Sequence, residues 1–250
     1  MSGPDAFLGG RLLLEQPENG HRAGLDAVML AAAAPVAAGD TVLDAGTGAG
    51  VVGLCIASRV KACSVTGVEI DASMAELANR NAVDNDLGAQ FRAIAADLTA
   101  PLSRLLEFGL EPESFDAVVA NPPFYATGSG TEPADPLRRR ASVMPKGGLA
   151  AWVRFMTAMA RPGGALVLVH PAAALADLLA ALENRCGAIT IFPLVPRQGE
   201  PAHRVIIAAI KGSRAPLTLR RGLVLHGDGN AFTIEAEAVL RHAAILDIHH

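Results

Sequence analysis

Lysine is nearly missing from this chain. Only Lys61, Lys146 and Lys211 stand among 21 basic residues, and the rest are arginine. A GC-rich genome explains that bias. Aromatic residues are also scarce, at 4%, so a core must be built from Ala, Val, Leu and Ile. The three cysteines, Cys55, Cys63 and Cys186, are scattered and form no CxxC pair. That excludes a disulfide framework and fits the reduced cytoplasm. The longest apolar run, Ala27 to Ala38, is broken by Pro35 and is too short to span a bilayer. The N-terminal MSGPDAFLGG has neither the basic start nor the apolar stretch of a secretion signal. No internal repeat, low-complexity linker or metal-ligand spacing is found, so no metal and no membrane partner are expected. His249 and His250, at the very end, carry no functional argument.

What is present points to a well-filled core. The 250 residues are 51% hydrophobic and 18% charged, with a mean hydropathy of +0.33. Such a chain is neither disordered nor fibrous, and its length suits one large domain. Charge is divided unevenly. Residues 1–135 hold 7 basic and 18 acidic side chains, whereas 136–250 hold 14 basic and 7 acidic. A basic second half invites a polyanionic partner, unless folding brings the two halves together and cancels the field.

Periodicity predicts a short strand at Arg11–Glu15, a turn-rich loop, and a helix over Leu25–Ala34 ended by Pro35. Strands are then expected at 41–44, 64–69, 91–95 and 115–120, with helices at 51–59 and 73–84 between the first three. A helix at 149–160, a strand at 165–170 and a helix at 172–183 follow. Strands at 188–194 and 204–211, with no helix between them, read as an antiparallel hairpin at the sheet edge. A last helix is expected at 233–246. Alternating strands and helices imply parallel βαβ units. The domain expectation is one unit over 1–250: a hairpin-and-helix appendage (1–39), an α/β core (40–212) and a C-terminal extension (213–250).

Two motifs carry chemistry. Residues 41–50 read TVLDAGTGAG, an apolar strand ending in Asp44 and followed by Gly46, Thr47, Gly48 and Gly50. Glycines allow a tight turn and the approach of a ligand, and the next helix offers free N–H groups. Gly48, Gly50 and Gly53 also match the dinucleotide pattern GxGxxG. Asp44 lies before the first glycine, where it would repel a pyrophosphate and suit a positively charged ligand. Glu69 ends the next strand and can accept bonds from both hydroxyls of a ribose. Asp97 follows the third strand, where a helix cap or a turn is the plain alternative.

The second motif is Asn121-Pro122-Pro123-Phe124, directly after a strand. Two prolines stiffen the turn. An exocyclic amine is a poor nucleophile, because its lone pair is delocalised into the ring. Two acceptors, the Asn121 side-chain oxygen and the Pro122 carbonyl, would draw its nitrogen towards tetrahedral geometry. Phe124 would stack on the base. Tyr125 offers a second stacking surface. Trp152 and Phe155 read as core, and His170 as a structural histidine.

The DxGxGxG segment with Glu69 resembles the motifs of class I S-adenosylmethionine-dependent methyltransferases, which implies a Rossmann-like, seven-stranded mixed sheet. The same resemblance implies that Asp44, Gly46, Thr47, Gly48, Gly50, Glu69, Ile70, Asp97, Leu98 and Asn121 hold S-adenosylmethionine. NPPF resembles the loop of methyltransferases acting on planar amines, with Asn121, Pro122, Pro123 and Phe124 as the catalytic set. The N-terminal run with Gln16-Pro17, Arg22 and Asp26, and the later RPGGALVLVHP and RVIIAAIKG, resemble the bacterial tRNA-valine (adenine-N6)-methyltransferase family of the methyltransferase small domain group. This implies an RNA substrate, tRNA first. Arg22, Arg138, Arg139 and Arg140 are then candidate substrate contacts. A further basic stretch runs through Arg197, Arg204, Lys211, Arg214, Arg220 and Arg221. Two alternatives stay open, a protein glutamine N5-methyltransferase and a non-catalytic RNA-binding module.

Overall fold

The structure is a computed structural model that describes residues 3–17, 22–123, 148–227 and 229–248. Its centre is a nine-stranded mixed sheet, ordered β10-β8-β9-β7-β6-β3-β4-β5, with β11 also paired to β8. The strands are β3 (Thr41–Ala45), β4 (Ser64–Glu69), β5 (Phe91–Ala95), β6 (Phe115–Ala120), β7 (Ala160–Pro171), β8 (Cys186–Arg197), β9 (Arg204–Lys211), β10 (Thr218–Leu219) and β11 (Leu223–His226). A separate antiparallel pair, β1 (Asp5–Phe7) and β2 (Leu12–Leu14), forms the N-terminal hairpin.

Both faces of the sheet's centre are covered, so central strands such as β6 and β9 are buried along nearly their whole length rather than alternating. Val42, Val119 and Val167 point to one face, and Leu43, Val118 and Leu166 to the other. The first face receives the hairpin, α1 (Leu25–Ala33), α2 (Val51–Arg59), α3 (Ala72–Asp84) and α7 (Ile234–His242). The second receives α4 (Leu102–Glu107), α5 (Gly148–Met159) and α6 (Leu175–Leu182). The helix ends follow local chemistry. Asp71 caps α3 by accepting from the Ser73 N–H at 2.9 Å, and Thr233 caps α7 by accepting from Ala236 at 3.2 Å.

Two expectations need correction. Among the described residues the sheet has nine strands, not seven, because the C-terminal extension adds β10 and β11, both parallel to β8. The 188–194/204–211 hairpin is therefore not the sheet edge. Its second strand, β9, inserts between β7 and β8, and β8 is covered in turn. Short strands such as Thr218–Leu219, both exposed, have no hydrophobic period, and tertiary pairing alone defines them. Two predicted helices are also trimmed. The segment at 172–183 is a 3-10 turn (Ala172–Ala174) followed by α6, and the last helix stops at His242.

Candidate active site

Strands β5, β4, β3 and β6 run parallel, and their register brings their carboxyl ends to one rim. Ala45 lies opposite Val68 and Ala120, and Glu69 opposite Ala95. The chain steps from β3 outward through β4 and β5, then returns to β6 on the other side of β3. The gap between β3 and β6 is thus the topological switch point, where open α/β sheets bind ligands. Gly46 and Asn121 flank it.

The glycine turn is built as its composition requires. Gly46, Gly48 and Gly50 have φ of +69°, +57° and +88°, conformations costly for any side chain. The Gly46 and Thr47 N–H groups both donate to the Val68 carbonyl, at 2.8 and 3.0 Å. Asp44 is 1% exposed, and its Oδ2 accepts from the Thr47 hydroxyl at 2.6 Å and the Gly53 N–H at 3.0 Å. Burial pushes its carboxyl up to about 7, against these two bonds, and the nearby Glu69 charge adds to the rise. Glu69 spans the next gap, its Oε2 accepting from the Gly48 N–H at 2.9 Å and its Oε1 from the Asp71 N–H at 3.0 Å. Burial raises its carboxyl too. Gly67, one strand over, leaves room for this packing, since a methyl there would lie 2.7 Å from Thr47 Cγ2.

The rim has an open side. A methyl built on Gly48 would meet nothing within 4 Å. Ile70 is 69% exposed directly after Glu69. Asp97 is exposed and uses Oδ1 to accept from the N–H and hydroxyl of Thr99, both at 2.7 Å, while Leu98 packs partly into the second-face core. Across the switch point, the Oδ1 of Asn121 is buried and has no hydrogen-bond partner among the described residues. Pro122 beside it is buried, and Pro123 half-buried.

Phe124, Tyr125, Arg138, Arg139 and Arg140 lie outside the described residues. Arg22 is exposed, paired with Asp5 and donating to the Pro17 carbonyl at 3.5 Å. The basic stretch at 197–221 does not form one patch. Arg197 and Arg204 sit on the carboxyl rim, Arg204 paired with Asp26 at 3.0 Å. Lys211 sits at the opposite end of the sheet, held by Glu113 at 2.8 Å and the Ala160 carbonyl at 2.8 Å. His170, at the end of β7, is 2% exposed and pushed down to about 4 by burial and by Arg204, so it stays neutral. Trp152 and Phe155 are buried, as expected. Among the described residues no cluster of His, Cys, Asp or Glu could hold a metal, and no helix is long and apolar enough to cross a membrane.

Two residues support the site in a way the sequence did not signal. Trp152 lies against Gly46, with its Cη2 2.4 Å from where a Gly46 methyl would sit. Asn81 on α3 donates to the Ala49 carbonyl of the glycine turn at 2.9 Å. Both neighbours, Gly46 and Ala49, are far away in sequence, and no motif spacing encodes such contacts.

Comparison with known proteins gives the family. Residues 23–140 match the family described as "Methyltransferase small domain". A curated protein of Aeromonas salmonicida, named tRNA1(Val) (adenine(37)-N6)-methyltransferase, is 28% identical over 85% of this chain and 85% of its own. One of the same name from a Flavobacteriaceae bacterium is 29% identical over 52% of this chain and 53% of its own, about half of each. A crystal structure from Agrobacterium tumefaciens, titled a predicted O-methyltransferase, is 32% identical, covers 86% of this chain and 94% of its own, and superposes with a TM-score of 0.72. With a relative this similar over nearly its whole length, the chain belongs to the class I methyltransferases, and its residues 23–140 match the small domain.

Proposed function

We propose that this protein methylates the exocyclic N6 amine of an adenine in tRNA. The observation that carries the reading is the Asn121 side-chain oxygen, a buried acceptor at the switch point without a partner among the described residues, followed by two prolines. Buried polar atoms are almost always satisfied, so one left open at a ligand-binding rim is reserved for a ligand.

The rim fits S-adenosylmethionine, the cofactor of class I methyltransferases. The open face at Gly48 admits a ligand against the backbone. Glu69 would hold the ribose hydroxyls with the lone pairs that Gly48 and Asp71 do not use. Exposed Ile70 would lie on the adenine ring, and Asp97 with Leu98 would line its edge. Asp44, with Gly46, Thr47 and Gly50, would face the methionine end. When bound, the cofactor supplies an electrophilic methyl group on its sulfonium.

The chain's own work is positioning. Asn121 Oδ1 and the Pro122 carbonyl would each accept an N–H of the target amine, freeing its lone pair for attack. Pro122 and Pro123 fix the backbone, so the acceptors need no reorganisation as charge develops. Phe124 and Tyr125 would stack on the base. No strong base is needed, because the amine proton becomes acidic once transfer begins. A hydroxyl acceptor would need its proton removed first, and the carboxylates Asp44 and Glu69 are committed to the glycine turn. An amine acceptor therefore suits the site better. Arg197 and Arg204, on the same rim, and Arg22 with Arg138, Arg139 and Arg140 are the proposed phosphate contacts. A tRNA substrate carries a cytoplasmic setting with it.

The test is transfer of labelled methyl groups into a lysate of bacteria lacking this gene. Label released by RNase and recovered as N6-methyladenosine supports the reading, whereas label released only by protease moves it to a glutamine side chain. In the same assay, Asn121→Ala should lose about 10²-fold in turnover while still binding S-adenosylhomocysteine. Turnover at the wild-type rate would remove Asn121 from the chemistry.

A further inference from the structure

Trp152 is the only tryptophan in the chain. It stands in the second turn of α5, 5% exposed, and its indole Nε1 is buried with no hydrogen-bond partner among the described residues. Among the described residues, Trp152 Nε1 and Asn121 Oδ1 are thus two unsatisfied buried polar atoms near the switch point. A phenylalanine would fill the same core without orphaning a donor, so the extra width of the indole needs a reason.

That reason lies at the outer edge of the ring. A methyl on Gly46 would fall 2.4 Å from Cη2, 3.0 Å from Cζ3 and 3.5 Å from Cζ2 of Trp152. These are the carbons that a phenylalanine lacks or places short. The Gly46 N–H is already fixed by the Val68 carbonyl at 2.8 Å. The indole closes the other side. Three left-handed glycines in five residues would otherwise be the loosest stretch of backbone at the rim.

We propose that Trp152 is a positioning residue of the cofactor site: the distal edge of its indole braces the Gly46 turn and thereby sets cofactor affinity. The proposal rests on the reading of the glycine turn as the cofactor loop. It also gives α5, the helix that follows the 124–147 segment, a direct hold on that loop.

The test is calorimetric titration of S-adenosylhomocysteine into wild-type protein and Trp152→Phe, with thermal unfolding of both. The expected result is a roughly 10-fold weaker affinity in the variant, with the cofactor-free melting temperature close to wild type. Wild-type affinity in Trp152→Phe, or a lowered melting temperature alone, overturns the brace. No binding to wild-type protein overturns the loop reading itself, which separates the two failures. A second measurement needs no substitution. As the sole tryptophan, Trp152 should change its fluorescence emission as S-adenosylhomocysteine saturates the site. Unchanged emission at saturation counts against the proposal even if Trp152→Phe cannot be purified.

Discussion

Asp44 shows how one residue serves two states. Its carboxyl is 1% exposed and held up to about 7, chiefly by burial. An unfolded chain releases this proton near the ordinary value of 3.8, so between there and about 7 the folded chain binds more protons. Stability of the cofactor-free protein therefore falls as pH rises across that window. Asp44→Asn keeps an oxygen to accept from Thr47 and Gly53 and cannot ionise. It should raise the melting temperature at pH 8 and change it little at pH 5. Under the proposed function, the same substitution should weaken cofactor binding, because a cationic amine stabilises the ionised carboxylate. Wild-type binding should then release a proton below about pH 7, seen as buffer-dependent heat in calorimetry. A melting temperature lowered equally at both pH values would show that Asp44 acts only as a structural acceptor. The acid and the glycines were legible in sequence because each is demanded locally, by a left-handed backbone or by the end of a strand. Trp152 was legible only as core, since what it braces lies 106 positions earlier in the chain.

At the scale of elements, α3 does something that no helix pattern announces. Its Asn81 accepts from the Glu15 N–H at 2.8 Å and donates to the Glu15 carbonyl at 2.9 Å. One turn later, Asn85 does the same for Leu13, at 2.9 Å in both directions. Residues four apart on a helix rise about 6 Å, and residues two apart on a strand about 6.6 Å. The two amides therefore imitate a neighbouring strand for β2 and its continuation. Asn81, 1% exposed, also holds the Ala49 carbonyl, so it links hairpin, helix and glycine turn. Asn81→Ala would leave three backbone groups unsatisfied and should cost about 2–3 kcal/mol in urea unfolding. It should also weaken S-adenosylhomocysteine binding. Asn85→Ala, at an exposed pair, should cost under about 1 kcal/mol. Equal costs would refute the idea that burial makes Asn81 the bolt. The strands β6 and β9 match their sequence boundaries because they are buried along nearly their whole length and their apolar runs end sharply, and the boundaries of β4 and β5 match as well. The hairpin's place in the sheet was not legible, because neither apolarity nor length distinguishes an edge strand from one covered later by the C-terminal extension.

For the whole molecule, the uneven charge of the two halves is partly cancelled by folding. Glu113, Asp116 and Asp26 of the first half pair with Lys211, Arg161 and Arg204 of the second, at 2.8, 2.9 and 3.0 Å. The ends of the chain also meet. A methyl on Gly9, after β1, would lie 2.5 Å from the Arg241 carbonyl of α7, and the Leu246 N–H donates to the Ala32 carbonyl of α1 at 3.0 Å. Val239, Leu246 and Ile248 are 3%, 8% and 1% exposed and lie in the core of the first face. Each contributes about 1.5–3 kcal/mol by burial, against a total stability of about 5–15 kcal/mol for a typical domain. The extension is thus a structural part of the fold, on the face opposite Trp152 and α5. Ile248→Ala should destabilise by about 2–4 kcal/mol through the cavity it leaves. Because the side chain packs in the first-face core, opposite Trp152, S-adenosylhomocysteine affinity should stay within about twofold of wild type. Thermal unfolding and calorimetry on the one variant decide both points. An unchanged melting temperature would mean that the tail does not clasp the N-terminal region in solution, whereas a large loss of affinity would mean that the clasp reaches the glycine turn through α1 and α2.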